Sequence, residues 1–64
     1  MKSDWVKLGL PKRGRSVNIM IGLKIYYGFT FNHDTYYYES IDVESLYFHL
    51  NEVDEWMYTK KQKK

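Results

Sequence analysis

Strict alternation of side chains over residues 17–31 is the feature that most constrains this chain of 64 residues. Every odd position from Val17 to Phe31 is apolar or aromatic, whereas the even positions are mixed and include Asn, Lys, Gly and Thr. A period of two is typical of a β-strand with one buried face. Gly22 and Gly28 interrupt the run, and glycine within a strand often marks a bulge or a bend. The pattern predicts a long strand that bends, splits or extends beyond its own subunit.

A second strand is predicted to pair back on the first one. The sequence Asn-His-Asp at 32–34 predicts a turn, because Asn and Asp bond their own backbone and tolerate left-handed geometry. The second strand, over 35–41, is too short to cover residues 17–24, which are left as an edge that can pair with another chain. A chain of this size buries only about 60% of its unfolded surface, so it gains from a partner. We therefore expect a homodimer.

The period of the apolar positions changes after Asp42 to that of a helix. Asp42 is a good N-cap, and the acidic residue Glu44 suits the first turn of a helix. The pattern predicts one helix from about Val43 to about Tyr58. A weaker alternative ends the helix near Asn51 and makes the sequence VDEWMYT a third strand. The apolar face of the predicted helix comprises Val43, Leu46, Tyr47, Leu50, Val53 and Met57.

Together these elements predict an α+β fold. It is an antiparallel β-hairpin or a small three-stranded sheet with a C-terminal α-helix packed on one face. The single α+β domain covers residues 17–60. An irregular basic segment, residues 1–16, precedes it, since Pro and Gly punctuate that stretch. A Lys-rich tail, residues 61–64, follows it.

Charge is segregated along the chain although the net charge is only +2. Residues 1–24 carry six basic side chains and one acidic one, and residues 59–64 carry four Lys. Residues 25–58 carry seven acidic side chains and neither Lys nor Arg. A basic pole suits nucleic acid or a membrane surface, whereas an acidic pole suits a basic protein surface. The long acidic and aromatic middle favours a protein partner.

The motifs of common catalytic sites are missing from the sequence. There is no Cys, no Gly-rich phosphate loop and no serine in the context of a nucleophile elbow. His33 and His49 lack the spacing of metal ligands. We therefore expect no enzyme activity and no cofactor. Since no run of about 20 apolar residues could span a bilayer, we expect no membrane partner. The absence of Cys is compatible with a cytoplasmic protein, which is the location we expect.

Residues 35–59 contain Glu39-Ser40-Ile41 on a predicted strand, within YYYESIDVESLYF, and then NEVDE. This order of motifs resembles that of the short, dimeric uracil-DNA glycosylase inhibitors of small Bacillus phages. The match needs a gap of one residue in the helix. The resemblance implies paired aromatic side chains and a glutamate on a strand, a short helix, and an Asn-x-x-Asp-Glu sequence before the last strand.

The resemblance implies that the protein is a non-catalytic DNA mimic that acts in the host cytoplasm. Its carboxylates would stand where phosphates bind in the cleft of this base excision repair enzyme. An apolar pocket would capture the leucine that the enzyme wedges into DNA when it flips out a base. The family is acidic overall and this chain is not, so its basic ends must lie away from the acidic face. The implied partner-binding residues are Glu39 and Ser40 with Ile41, Asp42 and Glu44 nearby, Leu46, Tyr47 and Phe48 in the pocket, and Glu52, Asp54 and Glu55 along the acidic edge.

Two other functions remain open on the sequence. A small nucleic-acid-binding accessory protein would grip phosphates with the basic sequences KLGLPKRGR and KKQKK, and its affinity would fall steeply with salt. A phage-type modulator of another host DNA enzyme would use the same acidic and aromatic surface as the glycosylase inhibitor. The sequence does not separate that reading from the inhibitor.

Overall fold

The computed structural model describes residues 4–59. In this range the chain forms an antiparallel sheet in the order β4-β3-β2-β1-β5. The predicted α+β fold is wrong, because no α-helix is present among these residues and the fold is all-β. The elements are β1 (Ser16–Ile21), β2 (Lys24–Asn32), β3 (Tyr37–Ser40), β4 (Tyr47–His49), a 3₁₀ turn (Leu50–Glu52) and β5 (Glu55–Tyr58).

The predicted long strand is a hairpin. Ile21 and Lys24 are paired across a two-residue turn, in which Gly22 has a φ of +62°. β1 also pairs with β5 on its other side. The edge that the sequence left unpaired at 17–24 is therefore covered within the chain, which removes that argument for a second copy.

A β-bulge at Gly28 reverses the faces of β2. Val17 is opposite Phe29 but Ile19 is opposite Tyr26, so β2 holds one residue more than β1 between these pairs. Gly28 supplies the positive φ, +75°, that the bulge requires. As a result Tyr26 shares the inner face with Phe29, and their ring centroids lie 6.3 Å apart. The odd-numbered positions N-terminal to the bulge turn outward, and Tyr27 is 69% exposed.

The predicted helix over residues 43–58 is absent because its apolar positions also fit a strand. Leu46, Phe48 and Leu50 pack against the core, whereas Tyr47 between them is 56% exposed. Leu46 and Leu50 are four residues apart, which places them on one face of a helix but also on one side of an extended strand. Phe48 lies between them on that same side of β4. Asp42 caps no helix. The alternative strand in VDEWMYT overlaps β5, although no helix precedes it.

The sheet must curl for its two outer strands to be joined. β4 and β5 lie four strand spacings apart in the order, which is about 19 Å in a flat sheet. Only residues 50–54 connect them, and a 3₁₀ turn rises just about 2 Å per residue. The inside of the curl is the core, in which the buried side chains are Val17, Ile19, Phe29, Phe31, Tyr38 and Trp56.

The N-terminal segment is fixed to β5, although the sequence suggested an irregular stretch. The backbone N–H of Val6 donates to the carbonyl of Trp56 at 2.7 Å, and the N–H of Trp56 donates back at 3.1 Å. The indole Nε1 of Trp56 donates to the carbonyl of Gly9 at 3.1 Å, and Pro11 is buried. The segment thereby shields the outer edge of β5. The predicted Lys-rich tail, residues 61–64, lies outside the described residues.

Tyr38 is expected to make this core less stable at alkaline pH. The ring centroids of Tyr38 and Phe31 lie 4.7 Å apart. Burial raises the pKa of Tyr38 from 10.0 to about 12. Since the folded state disfavours the phenolate, the contribution of Tyr38 is complete below pH 10 and is lost as the pH rises through 12. We expect the urea midpoint to fall over this range and Tyr38→Phe to fall less steeply. Equal pH dependence in the two proteins would contradict the assignment to Tyr38.

Candidate functional site

The outer side of β3 and β4 carries a group of aromatic and acidic side chains. Tyr37 lies directly opposite His49 and Glu39 directly opposite Tyr47. Because strands alternate, all four side chains point away from the core, while the intervening Tyr38 and Phe48 point into it. We call the residues Tyr37, Glu39, Tyr47 and His49 the aromatic face.

The rings of the aromatic face pack edge to face. The ring centroids of Tyr37 and Tyr47 lie 5.3 Å apart with an angle of 85° between the planes. Tyr37 makes a similar contact with His49, at 5.1 Å and 87°. Edge-to-face pairs are favourable because the ring edge is positive and the ring face negative. Tyr37 is therefore held by neighbours on both sides, although the face is open to solvent.

A depression of about 290 Å³ lies between the two tyrosines, lined by Thr35, Tyr37, Glu39 and Tyr47. The carboxylate Oε2 of Glu39 accepts a hydrogen bond from Nδ2 of Asn32 at 3.2 Å. No other hydrogen bond among residues 4–59 reaches this carboxylate. The site thus combines an oriented negative charge with aromatic walls, which is chemistry for a cation and not for a phosphate.

The sequence missed half of this face. It singled out Glu39 and Tyr47 but neither Tyr37 nor His49. The signal that could have found them is the alternation of residues 36–40 and 46–50 taken as two paired strands. That register was hidden by the helix prediction, which placed Tyr47 and His49 on a different kind of element.

The predicted pocket residues Leu46, Tyr47 and Phe48 are not brought together on one surface. Phe48 packs inside the curl, with its ring centroid 5.0 Å from that of Tyr26 and 5.9 Å from that of Phe29. Leu46 packs against the same core. Tyr47 alone of the three faces outward.

Ser40 ends β3, and residues 41–44 begin the β3–β4 loop. The Oγ of Ser40 accepts a hydrogen bond from the backbone N–H of Val43 at 2.9 Å. The N–H of Ile41 donates to the carbonyl of Gly28 at 2.8 Å, which ties the loop to the bulge. Asp42 and Glu44 are exposed on this loop. Ser40 therefore shapes the loop, while the two carboxylates beyond it face solvent.

The remaining predicted acidic residues lie on the connection to β5 and on β5 itself. Asp54 has a structural contact, because its Oδ2 accepts from the N–H of Gly22 at 2.7 Å and so fixes the β1–β2 turn. Glu55 on β5 is opposite Met20, and β5 lies three positions from β3 in the strand order. Glu52 is exposed in the 3₁₀ turn. The acidic stretch of the sequence is thus divided among separate parts of the surface.

Basic side chains gather before β1. Lys12, Arg13 and Arg15 are exposed, and the guanidinium carbon of Arg15 lies 4.1 Å from the ring centroid of Tyr58. The backbone N–H of Lys12 donates to the hydroxyl of the same tyrosine at 3.1 Å. This basic loop is anchored to β5, whereas the aromatic face lies on β3 and β4.

Residues 4–59 form neither a metal-binding cluster nor a membrane-spanning helix. This part of the chain contains no group of three or more His, Cys, Asp or Glu side chains arranged to hold a metal ion. Nor does it contain a helix that is long and apolar enough to cross a bilayer. None of the protein-family models, curated proteins or solved structures compared with this chain matches it.

Proposed function

We propose that this protein is a non-catalytic binding module that inhibits a DNA-acting enzyme, and that the target is uracil-DNA glycosylase in the host cytoplasm. The observation that carries the proposal is the oriented carboxylate of Glu39 among the exposed rings of the aromatic face. Tyrosine is enriched at protein interfaces, and a carboxylate suits the basic surface with which an enzyme holds DNA.

The choice of target depends on the sequence motifs around Glu39. β3 carries Glu39-Ser40, as the resemblance to phage inhibitors implies, but the helix that it also implies is absent. The aromatic face supports the binding chemistry, whereas the choice of enzyme follows from the Glu39-Ser40 motif. Another host enzyme with a basic DNA-binding cleft would use the same face, so the first experiment must test the target directly.

The test is titration of uracil-DNA glycosylase with this protein, followed by cleavage of a uracil-containing oligonucleotide at its abasic sites. We expect complete inhibition near one inhibitor unit per enzyme. Glu39→Gln should weaken inhibition about tenfold or more, since a hydrogen bond to a charged group contributes about 1.5–3 kcal/mol. The comparison variant is Glu55→Gln, a half-buried glutamate on β5, three positions from β3 in the strand order. If the aromatic face is the interface, Glu55→Gln should weaken inhibition less than Glu39→Gln does. Lys60→Ala should leave inhibition unchanged.

The outcomes separate the target from the site. No inhibition at large excess would remove uracil-DNA glycosylase as the target. Inhibition that Glu39→Gln and Glu55→Gln weaken equally would contradict the aromatic face as the interface.

Nucleic-acid binding by the basic loop is a second candidate, favoured by the position of Arg15 on the ring of Tyr58. It predicts direct affinity for labelled DNA that falls steeply with salt, because bound phosphates release counterions. The inhibitor hypothesis predicts little affinity for DNA alone. Homodimerisation also stays a proposal, based on the small size of the chain and on β4 as an outer strand of the sheet.

A further inference from the structure

We infer that the depression between Tyr37 and Tyr47 binds one cationic side chain, Lys or Arg, of the partner protein. The cation would lie against the tyrosine rings and pair with the carboxylate of Glu39. The inference rests on the proposed function, because it assumes that the partner is a protein, and it specifies which chemical group of that partner enters the site.

The geometry of the two rings suits a cation. Their planes are at 85° with centroids 5.3 Å apart, so they form two walls of a corner. A cation is attracted to the negative face of an aromatic ring within about 6 Å of its centroid. The volume of about 290 Å³ is at the lower limit for a small-molecule pocket, which is about 300 Å³. It therefore suits the end of one side chain better than a whole metabolite.

The charges around the depression also favour a cationic ligand. Thr30 and Asn32, which lie opposite Glu39 and Tyr37 on β2, are uncharged. Among residues 4–59, the one hydrogen bond to the carboxylate of Glu39 comes from the neutral amide of Asn32. A cation that enters would thus meet the negative charge of Glu39 on this face. A phosphate or a carboxylate would be repelled by it.

The site is also ordered before any ligand binds. Tyr37 and Glu39 are both half-buried on β3, which pairs with β2 on one side and with β4 on the other. Tyr37 is held by the edge-to-face contact with His49, and Glu39 by Asn32. Side chains that are fixed in advance lose little entropy on binding, which favours even a small ligand.

The test uses a probe that needs no partner protein. The ¹³C-resolved tyrosine ring signals of the full chain are followed by NMR during titration with N-acetyl-arginine amide. N-acetyl-citrulline amide, which has the same shape without the charge, is the matched probe at equal ionic strength. We expect saturable shifts at Tyr37 and Tyr47 with the arginine probe only. The exposed ring of Tyr27 is the internal control and should not shift.

Three variants assign the binding to its parts. Tyr47→Ala should abolish the saturable shift at Tyr37, and Tyr47→Phe should retain most of the binding, because phenylalanine keeps the negative ring face. Glu39→Gln should weaken binding several-fold. Retained binding in Tyr47→Ala with an unchanged fold would overturn the inference, as would equal shifts with the two probes or an equal shift at Tyr27.

The result is independent of the glycosylase assay. Probe binding without inhibition would contradict the proposed target and leave the cation site standing. Inhibition without probe binding would overturn the cation site and leave the target standing.

Discussion

Trp56→Ala is expected to leave most of the protein unfolded at 25 °C. Trp56 is 7% exposed, and its ring centroid lies 5.0 Å from that of Tyr58. Truncating a buried Phe or Trp to Ala costs about 3–5 kcal/mol. A core in a chain of this size rarely supplies more than about 3–5 kcal/mol in total. The loss therefore matches the whole stability of the fold, and the N-terminal segment held by Trp56 should detach at the same time.

Far-UV circular dichroism during urea unfolding measures this loss. Trp56→Phe is the matched variant, because it keeps a buried ring and removes only the extra volume and the Nε1–H donor to Gly9. We expect Trp56→Phe to stay folded with a lower midpoint. Tyr27→Ala, on an exposed ring of β2, should change the midpoint little. A Trp56→Ala protein with the same urea midpoint as the wild-type protein would show that the core is organised differently.

Gly28→Val is expected to be the next most damaging change, with a loss of about 2 kcal/mol or more. The φ of +75° at Gly28 lies in the left-handed region, where an L-residue costs about 1–2 kcal/mol, and a β-branched residue is a genuine outlier there. An added Cβ would also lie 3.3 Å from the carboxylate Oδ2 of Asp42. Both effects act at the bulge that determines which side chains of β2 face the core.

Two controls separate the backbone cost at Gly28 from the contact. Gly22→Val imposes a similar φ, +62°, at a turn where an added Cβ meets nothing within 4 Å. We expect it to be less destabilising than Gly28→Val in the same urea experiment. Adding Asp42→Ala to Gly28→Val should recover the part of the lost stability that is due to the contact between the new side chain and Asp42, as in a double-mutant cycle. Equal losses of stability in Gly22→Val and Gly28→Val, with no recovery in the double variant, would show that the backbone conformation alone causes the loss.

The strands of the first half of the sheet could be predicted because their pattern has one explanation. Alternation from Val17 to Phe31 is incompatible with a helix, and glycines marked the two places where it is interrupted. What the pattern could not show was that Gly22 reverses the chain while Gly28 inserts a bulge. That difference depends on which residues lie opposite them on the neighbouring strand, which is a property of the folded register.

The second half failed because its pattern has two explanations. Leu46 and Leu50 are spaced by four, which places them on one face of a helix and equally on one face of a strand. Ser45, with a φ of +69°, forms part of the turn into β4, and nothing in a serine announces that conformation. Glu39 was identified as a site residue from its motif alone. Its neighbours Tyr37 and His49 could be found only from the pairing of β3 with β4.

The position of β1 between two strands has a consequence for the order in which the protein can be made. Val17 pairs with Phe29, which leaves the ribosome soon after it, and with Tyr58, which follows much later. Until β5 emerges, the nascent chain exposes one edge of β1. Contacts so distant in sequence slow folding, and unpaired strand edges promote aggregation. β5, which is synthesised after the other four strands, thus completes the protection of β1, which is synthesised before them.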